Sequence, residues 1–308
     1  MAQTVDIAFV PALQDTIVGL FAEDPEMIRS TVRVRQITGK TDKWERLGGT
    51  ELTQVTTRHA ATPHTPMTHS ARLAILADYA GSELLDQLDQ VKMMIDPKNE
   101  YTRNLVRAWR VRIARTIVNA IDGNATSVDN ADARTSVALP ASQSIANGGT
   151  GFTMAKWRQA NRILDNAGVP RQSRTLICSA YAIEDLMADS QVTSSDYSSL
   201  AAIMNGAIAQ GARFMGASVV MIGDAIPDDT AVLTGGTIDP VLPKTGNILS
   251  NYLYHHDAVG LSIAKDVTAE VDRRSDLMNS WQVLVQGSLG AVRVLDGGAV
   301  EIDIDESV

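Results

Sequence analysis

Between Ser30 and Leu76 the chain alternates like paired β-strands, yet it holds too few large apolar side chains to bury a core of its own. Ser30 to Ile37 alternates at period two, the strand signature. Gly39-Lys40-Thr41-Asp42 reads as a turn, Lys43 to Leu47 continues the pattern, and Gly48-Gly49 interrupts it. Thr50 to Arg58, rich in Thr and Val, suits a further strand. Pro63 and Pro66 punctuate a second turn before Ser70 to Leu76 alternates again. An arm this thin needs another surface to lie on.

The other segments read as a folded α+β chain. Residues 6–22 have a loose helical period that Asp24-Pro25 breaks. Leu84, Leu85, Leu88, Val91 and Ile95 fall at near-helical spacing, which predicts a helix over 78–95. From Pro97 to Ile121 no further glycine or proline intervenes, and Leu105, Ala108, Trp109, Ile113, Ile117 and Ala120 recur at three- and four-residue steps. A helix there would run roughly 37 Å and end at Asp122-Gly123-Asn124. Residues 123–151 are small and polar and read as a loop or boundary. Helices are predicted over 152–167, 180–188 and within 197–210, with strands at 175–178 and 217–222, an α+β or α/β lobe. From Asn251 the pattern is strand again: Tyr252 to His256, Gly260 to Ala264, Thr268 to Asp272, Gln282 to Gln286, Ala291 to Leu295 and Val300 to Asp305.

Few constellations of chemistry are present. The 308 residues carry a net charge of −9, a poor composition for general nucleic-acid binding, which needs clustered Lys and Arg. The single cysteine, Cys178, lies in an apolar run and reads as a buried hydrophobe. Met1 to Ile7 has neither a basic region nor an apolar one, so no signal peptide is predicted, and no stretch has the length of a membrane span. The phosphate-loop and nucleophile-elbow patterns are absent. His59, His64 and His69 are five apart, a spacing that neither helix nor strand gathers on one face, and adjacent His255 and His256 would point to opposite faces of a strand. Glu301, Asp303 and Asp305 share a strand face, which suits a solvated or partner-facing edge better than a metal site. No catalytic, cofactor or metal residues are assigned.

Four segments, in this order and spacing, resemble the major capsid proteins of tailed bacteriophages, the Hong Kong 97-type fold of the short-tailed-phage branch. They are Met1 to Val10; Ser30 to Lys40 continuing to Leu47-Gly48; Arg58-His59 through His69 to Asp78-Tyr79-Ala80-Gly81 and Leu88-Asp89; and His256-Asp257-Ala258-Val259-Gly260-Leu261 through Gln286-Gly287 to Val300-Glu301-Ile302. The resemblance implies an N-terminal arm over 1–29 and an extended β-hairpin E-loop over 30–76 that lies on a neighbouring subunit. It implies a peripheral domain over 77–151 and 251–308, with a long spine helix, and an axial domain over 152–250.

The function implied is a structural shell subunit, not an enzyme, that self-assembles through pentamers and hexamers into an icosahedral capsid enclosing phage DNA. A cellular nanocompartment shell of the same fold is the alternative. The implied partners are further copies of the chain, a scaffolding protein, a portal protein and packaged DNA held by non-specific contact, with a decoration protein left open and no membrane. The implied location is the virion, after synthesis in the host bacterial cytoplasm. The family-like start at Met1 leaves under thirty residues before the E-loop, too few for a fused coiled-coil scaffold, so a separate scaffold is expected.

Charge suggests which residues meet a neighbour. Arg33, Arg35, Lys43, Arg46 and Arg58 make the arm basic, whereas Asp272, Glu301 and Asp303 belong to an acidic C-terminal region. Opposite signs at subunit edges fix register, so these residues are candidate interface positions. Arg103, Arg107 and Arg110 project from the spine helix away from its apolar stripe. They would meet either neighbouring subunits or packaged DNA.

Overall fold

In the computed structural model, residues 26–54, 56–58, 62, 64–86, 98–129, 132–188, 213–214, 216–222 and 241–307 are described. The helices are α1 (Glu26–Ser30), α2 (Lys98–Asp122), α3 (Met154–Asn166) and α4 (Ala180–Ala188). The strands are β1 (Arg33–Gln36), β2 (Thr41–Leu47), β3 (His69–Ile75), β4 (Ala77–Leu85), β5 (Ala125–Val128), β6 (Arg134–Val137), β7 (Ser144–Ile145), β8 (Arg174–Cys178), β9 (Arg213–Phe214), β10 (Ala217–Met221), β11 (Lys244–Thr245), β12 (Ile248–His255), β13 (Val259–Arg274), β14 (Ser280–Arg293) and β15 (Ala299–Asp305).

They form three sheets. The first runs β1-β13-β14-β4, the second β2-β3-β5-β6, and the third β7-β15-β12-β8-β10-β9, with β11 paired to β12. The strands expected at 260–264 and 268–272 are one long strand, β13, with register shifts between Ile263 and Thr268. Those expected at 282–286 and 291–295 likewise fuse into β14. Each pairs along the other, so local breaks in the apolar pattern do not interrupt the ladder.

The long helix lies close to where its periodicity places it. Trp109, Ile113, Ala114, Ile117, Val118 and Ile121 are buried, each large apolar chain contributing about 1.5–3 kcal/mol. Ala108, assigned to the stripe from spacing, is exposed instead. The helix packs on β13 and β14. Gly287 makes the approach feasible, since a Cβ there would stand 2.3 Å from the Trp109 ring.

Two expectations are corrected. Residues 78–85 are strand, not helix, because β4 pairs antiparallel with β14 from Trp281↔Leu85 to Leu289↔Ala77. A long-range ladder here overrides an ambiguous local period; residues 87–95 of that predicted helix, like those at 6–22 and 197–210, lie outside the described residues. Residues 123–151 are not merely loop, since β5 and β6 form a hairpin that extends the β2-β3 sheet.

The third sheet carries α3 and α4 on one face. Thr153 caps α3 by accepting from the Lys156 N–H, and Gly168 closes its far end at φ +72°. Arg174 of β8 reaches Asn161 and Asp165 of α3, and Trp157 of α3 packs on Phe214. The sheet draws strands from both sides of residue 250.

Candidate subunit interface

The arm is anchored within its own chain. β2 and β3 pair from Thr41↔Ile75 to Leu47↔His69, a hairpin whose root rests on the first sheet. Trp44 is buried with Ala74, Ala125, Val292 and Val294, so the arm borrows a small core from distant strands of the same chain. The Trp44 Nε1–H donates to Ser262 Oγ at 3.0 Å, and Ser262 Oγ donates to Asp42 Oδ2 at 2.6 Å. Gly260 lies beneath the ring, and a Cβ there would stand 2.6 Å from it.

Arg33 and Arg35 complete this root. The Arg35 guanidinium lies 4.2 Å over the Trp44 ring and donates to Asp42 at 3.2 Å. Arg33 lies 5.6 Å over the same ring, with its Nε 3.6 Å from Asp257. His255 and His256 both turn toward Asp257, because β12 ends at His255 and a 3-10 turn follows. Opposite-face strand geometry does not apply to them. Arg29 and Asp266, one from each end of the chain, pair at 2.6 Å. Basic N-terminal and acidic C-terminal groups thus meet inside one subunit at these positions.

Beyond the root the hairpin is bare. Arg46 is half-buried and donates to the Val294 carbonyl at 3.1 Å, whereas Lys43 and Arg58 are exposed. The described part of 50–58 contains no strand, contrary to its Thr- and Val-rich composition. It has no partner strand among the described residues, and β propensity alone does not hold an extended segment in water. Here Leu47, Leu52 and Met67 are 60%, 93% and 50% exposed.

On α2, Arg103 is exposed while Arg107 and Arg110 are half-buried, and all three have partners within the chain. Arg112 stacks 4.8 Å over Tyr79. Asp272 is exposed near the end of the β13-β14 hairpin.

Glu301 and Asp303 lie half-buried on β15, alternating with buried Val300, Ile302 and Ile304. Ser250 Oγ donates to Asp303 at 2.7 Å. Burial, then the negative charges of Asp303 and Asp122, push the Glu301 carboxyl above its ordinary range. Among the described residues no group of three or more His, Cys, Asp or Glu is arranged to hold a metal ion.

Buried cations elsewhere were not legible from charge counting. Arg293, fully buried, donates to the carbonyls of Ile121 and Gly123 at the C-terminal end of α2. Arg72 and Arg293 share Asp296, at 2.5 and 2.9 Å. The one available signal was Arg293 itself, an arginine inside the apolar run Ala291-Val292-Arg293-Val294-Leu295.

Residues 6–306 match the model of a family described as phage capsid protein. No curated protein sequence matches the chain. The fold is similar to that of the capsid of the cyanophage P-SCSP1u, at 14% identity and a TM-score of 0.67, over 98% of this chain and 94% of that one. It is also similar to the capsid of the cyanophage Pam1, at 12% identity and TM-score 0.65 over 96% of each chain. A third likeness is to a protein of Mycobacterium phage Che8, at 18% identity and TM-score 0.61 over 96% of this chain and 97% of that one.

Proposed function

This chain belongs to the phage capsid protein family, and from that premise we propose how it builds its shell. It is a structural capsid protein of the virion with a Hong Kong 97-type fold, and shells of this kind form by self-association; the nanocompartment alternative is not favoured. The finer reading is a closed icosahedral assembly of pentamers and hexamers that encloses DNA without sequence-specific contact. In that reading the chain is not an enzyme and is made in the host cytoplasm. A scaffolding protein sets curvature and a portal protein occupies one vertex.

The observation that carries the proposal is the contrast within the hairpin. Its root is fixed by Trp44, Asp42, Ser262 and Arg35, while its outer part presents Leu47, Leu52 and Met67 to solvent. Apolar surface on a rigid support is what a neighbouring subunit would cover. In that reading 1–29 is the arm, 30–76 the E-loop, 77–151 with 251–308 the peripheral domain, and 152–250 the axial domain. Exposed Lys43 and Arg58 are its basic contacts, and exposed Asp272 is an acidic counterpart. Closed symmetric assembly would bury these surfaces repeatedly.

Electron microscopy of the chain, expressed alone and with its genomic neighbours, tests the proposal. Closed shells of uniform size are expected with the neighbours present. A chain that stays monomeric at high concentration in both settings would sink it, and uniform shells from the chain alone would remove the scaffold from it.

A further inference from the structure

The third sheet is charged oppositely on its two sides. Alternation along the paired strands sends Asn251, Leu253, Ile302 and Ile304 toward the helices, and Ser250, Glu301, Asp303 and Asp305 to the other face. On the helix side, α3 shows solvent a row spaced three and four apart: Ala155, Arg158, Gln159 and Arg162. These four line a shallow hollow of about 290 Å³. Arg158 donates to the Met154 carbonyl and has a further partner within the chain, whereas Arg162 makes no hydrogen bond or ion pair with any described residue.

The far side carries the opposite charge. Tyr252 stands directly opposite Glu301 in the ladder and is fully buried, with its hydroxyl beside Ser250. Ser250 donates to Asp303 and also lies beside Tyr252 and Glu301, and exposed Asp122 adds a further negative charge near them. Lys156 reaches the Asp303 carbonyl, but four carbonyls already share its ammonium. No arrangement for a metal exists there among the described residues. A row of half-buried carboxylates on one strand face suits cationic hydrogen-bond donors, and a guanidinium supplies several in a planar fork.

We propose that copies of this chain meet head to tail, the Arg158–Arg162 face of α3 in one copy seating on the Glu301–Asp303 row of the next. Two different faces on opposite sides of one sheet make a heterologous contact, and such a contact closes into a ring when the rotation permits. The proposal rests on the shell reading and specifies one contact within it. Charge complementarity selects the occupant: a net-negative chain offers an acidic row few basic partners, and this helix face is one.

Cysteine cross-linking in assembled shells tests it. Arg162→Cys with Glu301→Cys, and Arg158→Cys with Asp303→Cys, should each give a covalently linked ladder with a bis-maleimide cross-linker, which single variants would not. Buried Cys178 does not compete. A disulfide needs Cα atoms about 4.4–6.8 Å apart, closer than an arginine–carboxylate contact brings them, so the linker needs a spacer. Arg162→Glu alters an exposed position that makes no hydrogen bond or ion pair with any described residue. It should cut shell yield at least tenfold while leaving the subunit's circular dichroism and melting temperature unchanged. Shells in which neither pair cross-links, or wild-type yield from the reversed variant, would overturn the contact. Failure of the wild-type chain to form any shell would instead defeat the shell reading beneath it.

Discussion

Arg293 holds its Nε 2.9 Å from Asp296 Oδ1, three residues further along the chain, in a site where the arginine has no solvent exposure. The same guanidinium donates to Ile121 and Gly123 and to the Val137 carbonyl. One side chain therefore caps α2, ties it to β14 and holds the end of β6. Helix C-termini leave carbonyls without internal partners, and a cation there also complements the helix dipole.

Arg293→Ala should cost about 3 kcal/mol or more, since it strands several buried carbonyls and removes one of the two arginines on Asp296. Urea denaturation of the unassembled subunit measures this directly. A loss below about 1 kcal/mol would mean that water replaces the guanidinium at little cost.

This network shows which parts of the fold could be read in advance. Helix α2 was legible because its signal is local: an unbroken span with an apolar stripe. The β4 strand was not, because Leu84, Leu85 and Leu88 fit a helix equally well and only pairing with β14 decides between them. Charge marked the basic and acidic groups but not which of their contacts lie within the subunit. Arg33 and Arg35 were assigned to a neighbour from composition, while in the subunit they clasp Trp44. A linear sequence does not reveal that Gly260 leaves room for that ring.

Stability should respond to pH in opposite senses at two carboxyls. Glu301 is raised in the folded state by burial and by Asp303, so its ionised form penalises the fold at neutral pH, and the penalty fades as pH falls. Glu301→Gln should therefore melt higher than wild type at pH 7 to 8, with the gap closing toward about pH 4. At Asp266, burial pushes upward, but the bonds from Arg29 and the Val267 N–H outweigh it and leave the carboxyl low. Its contribution is present at neutral pH and lost as pH falls through the folded-state value. Asp266→Asn should therefore melt lower at pH 7 and converge with wild type in acid. Melting curves across pH that fail to diverge in these directions would refute the assignments.

Leu52→Asp should separate folding from assembly. At 93% exposure Leu52 has almost no packing to lose within the subunit, so the melting temperature should stay within about 1 °C, in keeping with surface substitutions that change stability by under about 0.5 kcal/mol. Shell yield should fall several-fold, because a charge would be placed where the proposed neighbour needs an apolar contact. Normal shells from this variant would show that the exposed part of the hairpin does not dock through Leu52.

Lys156 provides the last test, and a stringent one. Its ammonium accepts no hydrogen bonds and has three protons to donate, yet it lies within 2.7–3.0 Å of the carbonyls of Asn147, Thr150, Gly151 and Asp303. At least one proton is therefore shared. Burial pushes the amine below its ordinary pKa, opposed by the negative charges of Asp303, Asp185 and Asp305. The group joins the first turn of α3 to the preceding loop and to β15, two pieces of chain 147 residues apart. Lys156→Met keeps most of the volume and removes every donor, leaving four inward-facing acceptors to water or to nothing. The expected loss is about 3 kcal/mol or more, since an unsatisfied buried acceptor costs about 1–3 kcal/mol and more than one is exposed to that fate. The damage should be local as well as global. Hydrogen exchange should accelerate first at residues 147–151 and along β15, while α2 keeps its protection until the whole subunit unfolds. Uniform acceleration across the chain would show that Lys156 contributes to overall stability without acting as the tie between α3 and β15.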